Sequence, residues 1–264
     1  MDAQIQELVK RLTLLQRQVD GLIKPEVGAQ LLFQTLPGLV GFWPLNTASR
    51  NTGNTFDLSG QAKTLTYNGN PQFNFYNGLV PYLAFDGVGD WLSRADEADF
   101  DILGNEAIIV AAARGLTMGA WVWLTNLGAT EIIINKWNPT GNQQSYLLYK
   151  TGGNFVEMAI SSTGANTFVA TGATTISTGS WFFVVGRFTP STEVAIFTNN
   201  NKVTNVTAIP ATIFNSTANF LIGARGDLTL PITGRIALAF LSQEALSDAL
   251  IFSLYEQSRV LFGV

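Results

Sequence analysis

The sequence predicts an all-β jelly-roll sandwich, preceded by a coiled-coil helix and closed by a short C-terminal helix. Three observations carry this. From about Gly41 onward, short apolar or alternating runs are separated by clusters of Gly, Asn, Thr, Ser and Pro. Near the N-terminus, apolar residues recur at a heptad spacing. Near the C-terminus, an apolar stripe follows Ser247 and Asp248.

The N-terminal segment has Ile5, Leu8, Leu12, Leu15, Val19 and Leu22 at successive a and d positions, with Val9 and Ile23 at e. A stripe widened at e suits more than two strands, so the expected assembly is a parallel homotrimer. The competing reading is a single amphipathic helix packed on its own domain. Three heptads are marginal alone in water, so the globular domains are expected to help hold the stem together. Gly21 weakens the last turn and Pro25 stops the helix. The chain therefore divides into a stem (1–24), an apolar connector with a Pro37–Gly38 turn (25–38) and a sandwich (39–264).

Strands are expected at Ala120–Leu124, Ser145–Lys150, Val156–Ser161, Trp181–Phe188, Val194–Thr198, Phe220–Ile222 and Gly234–Leu241. Trp121 and Trp123 fall on one face, and Asn199–Lys202 reads as a hairpin turn. In the closing helix, Leu250, Leu254 and Tyr255 supply the buried stripe. The apolar Val260–Val264 end is expected to dock on the domain or on a neighbour.

Composition narrows the function. Of 264 residues 47% are hydrophobic and only 13% charged, against about 25% charged in an ordinary soluble domain. Mean hydropathy is +0.21. So few charges point to repeated subunit contacts. The net charge of −4 and the lack of a basic run argue against nucleic acid as the main partner. There is no Cys and no His, which removes disulfides, thiolate and imidazole metal sites and His-based triads. Residues 1–24 carry charges throughout and lack the apolar core of a secretory signal. The longest apolar runs are too short to span a bilayer, so no membrane insertion is expected.

Six segments in order resemble the laminin G-like, concanavalin A-like lectin/glucanase superfamily, in the form common in bacterial and phage surface proteins. They are Leu39-Val40-Gly41-Phe42-Trp43-Pro44-Leu45, Asp57-Leu58-Ser59-Gly60, the run from Phe85 to Leu92, the run from Leu116 to Val122, the run from Gly179 to Val185, and Phe220-Leu221-Ile222-Gly223 with Gly234-Arg235-Ile236 and Ala245-Leu246-Ser247-Asp248. The resemblance spans roughly Leu39 to Gln257. It implies two antiparallel sheets with binding loops at one edge and a glycan or protein as ligand. Two departures stand out. Ala237 and Leu238 replace the acidic pair usual after Gly234-Arg235-Ile236, which puts a calcium site there in doubt. Asn105–Gly115 reads as an insertion, whose Ile108–Ala113 run is either a buried strand or a patch covered by a neighbouring subunit.

Hydrolases of this superfamily need two carboxylates held across a cleft. Glu157 and Glu193 lie in strand-like runs without an acidic residue two positions on, so no enzyme is expected. Asp96, Asp99 and Asp101, with Glu97, form the densest acidic cluster. They read either as calcium ligands or as a solvated loop. Asp57, Asp86 and Asp90 are alternative calcium ligands implied by the resemblance. Trp43, Trp121, Trp123 and Trp181 read as packing residues. Trp137 lies in a polar run with Asn138, Asn142 and Gln144. It reads either as a sugar platform flanked by those amides or as a plug at the sandwich edge. Asn205 and Asn215 match a glycosylation sequon, in a Thr/Asn-rich chain where chance matches are common.

A trimerising stem ahead of a lectin-like domain resembles a viral appendage such as a fibre, spike or capsid decoration protein. The expected place is thus the virion or an extracellular surface. The expected partners are further copies of the chain, a viral or surface structural protein held by the stem, and a glycan. Attachment to glycans is the first functional reading, a structural decoration or sheath subunit the second, and a glycoside hydrolase the third.

Overall fold

The computed structural model describes residues 25–45, 53–105 and 114–264. The heptad seam and the apolar run 108–113 lie outside the described residues.

Every strand ladder is antiparallel, and the strands form two sheets. Numbered in chain order, the first sheet runs β13 (Asn201–Asn205), β12 (Glu193–Thr198), β11 (Trp181–Thr189), β6 (Arg114–Leu124), β15 (Thr233–Glu244), β4 (Val80–Asp86) and β3 (Gln72–Tyr76). An eighth strand, β1 (Leu39–Trp43), pairs with β15 beside β4. The second sheet runs β10 (Phe168–Thr175), β9 (Phe155–Ile160), β8 (Gln143–Lys150), β7 (Glu131–Asn138), β14 (Phe220–Ile222), β5 (Trp91–Arg94) and β2 (Thr66–Asn68). All seven expected strands are present, six of them longer at one or both ends than the sequence reading placed them.

The core lies between the sheets. On β6, Leu116, Met118, Ala120, Val122 and Leu124 point into it, while Trp121 and Trp123 share the opposite face. That outer face is itself covered by two helices, α1 (Pro25–Gln34) and α2 (Asp248–Phe262). Burial on both faces is why β6 reads as nearly continuous apolar sequence. Trp121 stacks on Phe262 at 4.2 Å and donates its indole N–H to Ser258 Oγ at 3.0 Å. Ser247 caps α2 by accepting the Leu250 N–H, and Gly263 ends it at φ 68°. Leu261 and Phe262 are buried on the chain's own domain, leaving Val260 exposed.

The connector carries more structure than its sequence announces. Ala29, Phe33 and Leu36 bury on the outer face of the first sheet, and Phe33 stacks on Phe42 at 5.4 Å. These three residues continue the a/d phase of the stem, so the same stripe is occupied here by the domain itself.

A bulge in β15 sets two of its residues, Leu238 and Ala239, against Ala120 of β6, with Leu238 at φ 49°. There β15 changes neighbours from β4 to β1. Ala237 and Leu238 are both buried beneath the helices. An oxygen ligand at either position would face packed aromatic rings, not a cation.

Candidate functional site

The strand registers gather many loops at one end of the sandwich. Phe214 donates its N–H to the Ser161 carbonyl, Ile213 to Leu103 and Ser191 to Pro210, which ties loops 95–105, 161–167, 190–192 and 206–219 together. The β7–β8 hairpin joins them, because Gln143 Oε1 accepts the Thr217 N–H at 2.8 Å. Loops carried on a rigid sandwich are where binding surfaces are usually built.

Beneath these loops lies an aromatic floor. Phe100, in the 3-10 turn Ala98–Phe100, stacks on Phe220 at 4.7 Å and on Trp43 at 6.5 Å, and its carbonyl accepts the Tyr146 hydroxyl at 3.0 Å. Burial first, and then the charges of Asp101 and Asp96, push the Tyr146 phenol well above its usual range.

The acidic cluster is neutralised from within. The Lys136 ammonium, fully buried, donates to Asp96 Oδ1 at 2.5 Å, to the Ala218 carbonyl at 3.0 Å and to the Ser216 carbonyl, and lies 3.2 Å from Asp101 Oδ1. Asp99 pairs with Lys63, and Glu97 with Lys63 at 3.1 Å and Arg94 at 2.7 Å. The Arg94 hydrogen bonds hold Glu97 below the usual carboxylate range, against burial. Burial raises Asp101, with Lys136 opposing it. Among the described residues no three acidic side chains converge on a common point as a metal site requires. The three carboxylates expected as calcium ligands thus face lysine ammoniums, Asp96 and Asp101 that of Lys136 and Asp99 that of Lys63. The alternative carboxylates are engaged by the backbone instead. Asp57 accepts N–H groups from Phe42, Ser59 and Lys63, Asp90 from Asn70, and Asp86 from Val88.

Trp137 is 6% exposed and packs on Ile132, Leu147 and Ala159, on the outer face of the second sheet. The loop after β14 lies across it, with the Gly226 N–H donating to the Trp137 carbonyl at 2.9 Å. Trp137 thus plugs this face and does not present a platform. Of its expected companions, Asn138 caps the turn at Thr140 and donates to the Gly226 carbonyl. Asn142 takes φ 57° at the hairpin tip, and Gln144 pairs across from Trp137. They line the rim of the loop end but do not converge on a pocket.

The covering loop is clamped by a bidentate Arg225–Asp227 pair at 2.9 and 2.8 Å. This arginine, with help from Thr229, draws the Asp227 carboxyl down to about 2 against partial burial. The folded value lies below the unfolded one. The contribution of Asp227 to stability is therefore complete above about pH 4 and is lost as pH falls toward about 2. We expect Trp137 fluorescence to hold down to about pH 4 in the native chain, and Asp227→Asn to remove the acid-dependent step below that.

A cleft of about 330 Å³ opens at the same loop end, where the α1–β1 turn meets loop 59–63. Its polar side chains are Gln34, Ser59, Gln61, Lys63, Asp99 and Gln243. The sequence reading missed it because its residues come from four distant segments. The carboxylates weighed for hydrolysis lie elsewhere. Glu157 accepts hydrogen bonds from Tyr149 and Thr171, and Glu193 pairs with Arg187 and with Lys202 at 3.1 Å.

Comparison with known proteins places this geometry. A family model described as the concanavalin A-like lectin/glucanases superfamily, of laminin G type, matches residues 102–252, more than half of the chain. The chain belongs to this family. No curated protein matches this laminin G-like chain in sequence. Among solved structures it is similar to the binding domain of Paraclostridial Mosquitocidal Protein 1 (TM-score 0.62, 11% identity, 84% of this chain and 52% of that one). It is also similar to the receptor binding domain of botulinum neurotoxin mosaic serotype C/D (0.62, 14%, 85% and 51%). A third is the binding domain of botulinum neurotoxin DC in complex with SialylT (0.59, 14%, 85% and 52%). At these identities the likeness is one of fold, and the laminin G-like chain spans about half the length of each toxin domain. No helix among the described residues is long and apolar enough to cross a membrane.

Proposed function

We propose that the chain is a non-enzymatic, lectin-like attachment module. The loop-end cleft holds a glycan, and the N-terminal heptads assemble the chain into a homotrimer on a virion or other surface appendage. The observation that carries the reading is the cleft itself, a polar recess at the loop end of a concanavalin A-like sandwich. The side-chain amides of Gln34, Gln61 and Gln243 form no hydrogen bond with another described residue. Amides offer donors and acceptors together, which suits a ring of hydroxyls. The neighbouring folds support it in kind, since one of those toxin domains is in complex with SialylT. The non-enzymatic reading rests on Glu157 and Glu193 being engaged by donors: Glu157 by Tyr149 and Thr171, and Glu193 by Arg187 and Lys202, two cations that it shares with Asp248. Three copies on one stem raise avidity without new contacts.

In a glycan-binding assay with the full chain, Gln61→Ala combined with Gln243→Ala should weaken binding about 10-fold or more, while Asn142→Ala leaves it within about 2-fold. Equal binding by the double variant would remove the cleft from the account.

A second reading, a structural decoration or sheath subunit, is favoured by the low charge and by exposed apolar side chains such as Leu79 and Val88. Light scattering separates the two. A trimer that becomes monomeric when the stem is removed supports display, whereas large assemblies with and without the stem support packing.

A further inference from the structure

We infer that the loop-end cleft takes an uncharged saccharide, a hydroxyl-rich ligand without carboxylate, sulfate or phosphate. This rests on the glycan-binding reading and adds the ligand class to it.

The argument is the disposition of charge. Among the described residues, Lys63 is the one cation in the cleft wall. Its ammonium is nearly buried and already held by Glu97 at 3.1 Å and by Asp99. Arg94, behind it, is bidentate on Glu97 at 2.7 and 3.1 Å and donates to the carbonyls of Thr64 at 3.0 Å and Ala62 at 3.3 Å. Arg114 stands opposite Glu244 across the β6–β15 ladder, next to Gln243. Lys63 and Arg94 are thus matched by Glu97 and Asp99, and Arg114 is not among the residues that line the cleft. Lys136, deeper in, is closed inside its own oxygen cage.

An anionic sugar entering here finds no free ammonium or guanidinium among the described residues of the cleft wall to replace the water it loses, and an unpaired charge is costly to desolvate. It also meets the exposed carboxylate of Asp99, whose side chain is 62% accessible. Displacing Asp99 from Lys63 would leave a carboxylate unpaired instead. The groups that are free are neutral. The amides of Gln34, Gln61 and Gln243 each present two N–H donors and one acceptor oxygen. A hydroxyl satisfies either kind, and an anion only the donors.

The test uses the full chain and pairs of oligosaccharides that differ only by a sialic acid or a sulfate, titrated from about 20 to about 500 mM NaCl. The expected result is binding of the neutral member, with the charged member weaker by about 10-fold and neutral affinity changing by less than about 2-fold across the salt range. Preference for the charged member, or affinity that falls steeply with salt, would overturn the inference while leaving glycan binding standing. A panel in which neither member of any pair binds overturns the glycan reading and this inference with it.

Discussion

Lys136→Met will lower the unfolding free energy by roughly 3–5 kcal/mol, the range seen when one partner of a buried ion pair is removed. The ammonium is fully buried, and it joins three segments far apart in sequence: Asp96 and Asp101 before β6, Lys136 on β7, and the carbonyls of Ser216 and Ala218 before β14. Methionine keeps the volume but leaves two carboxylates and two carbonyls facing apolar atoms. Asp96 and Asp101 keep some contact with water, which places the cost toward the lower end of the range. Urea unfolding should show a lower midpoint with an unchanged slope. Because the cage is filled by a side chain, a chelator should not move the midpoint of the native protein. A cost under about 1 kcal/mol, or a midpoint that falls with chelator, contradicts the assignment of Lys136 as the internal cation.

Phe33→Ala will cost about 3–5 kcal/mol, as expected for emptying a fully buried aromatic site. Phe33 stacks on Phe42 at 5.4 Å and meets Phe240 at 5.5 Å and Phe183 at 6.2 Å, so its removal opens the seam between α1 and the first sheet. Leu31, on the exposed side of the same helix, is the control, and Leu31→Ala should stay within about 0.5 kcal/mol. Equal, small effects at both positions would mean that α1 is a tether and not part of the folded domain.

The fold was legible wherever one strand carried its own pattern. The alternation in β6 and the Ser247 cap of α2 are local signals, and each appears where its sequence placed it. Asn199 takes φ 55° at the β12–β13 turn, as an Asn run between two strands implies. What could not be read locally was which loops meet. The acidic cluster looked like a cation site because its partners are remote. Lys136 lies 40 positions from Asp96, and the two carbonyls 80 and 82 positions from Lys136. One signal was present. Lys136 follows Ile134 at the strand period, so it points to the interior, and a lysine there needs a partner. Trp137 misled for the opposite reason. Its neighbours in sequence are polar, but the loop around Gly226 closes over it from 89 residues downstream. The cleft left no sequence trace, since Gln34, Gln61 and Gln243 are unremarkable singly and meet only through the β1–β15 pairing and the Asp57 turn.

The most direct test of the central claim, that the loop-end cleft is the ligand site, is a two-dimensional NMR titration of the side-chain amides with a neutral oligosaccharide. The account predicts that the NH2 signals of Gln34, Gln61 and Gln243 shift together and saturably, while those of Asn138, Asn142 and Gln144 at the hairpin rim stay in place. Saturable shifts confined to the rim, with the cleft amides unmoved, would contradict it.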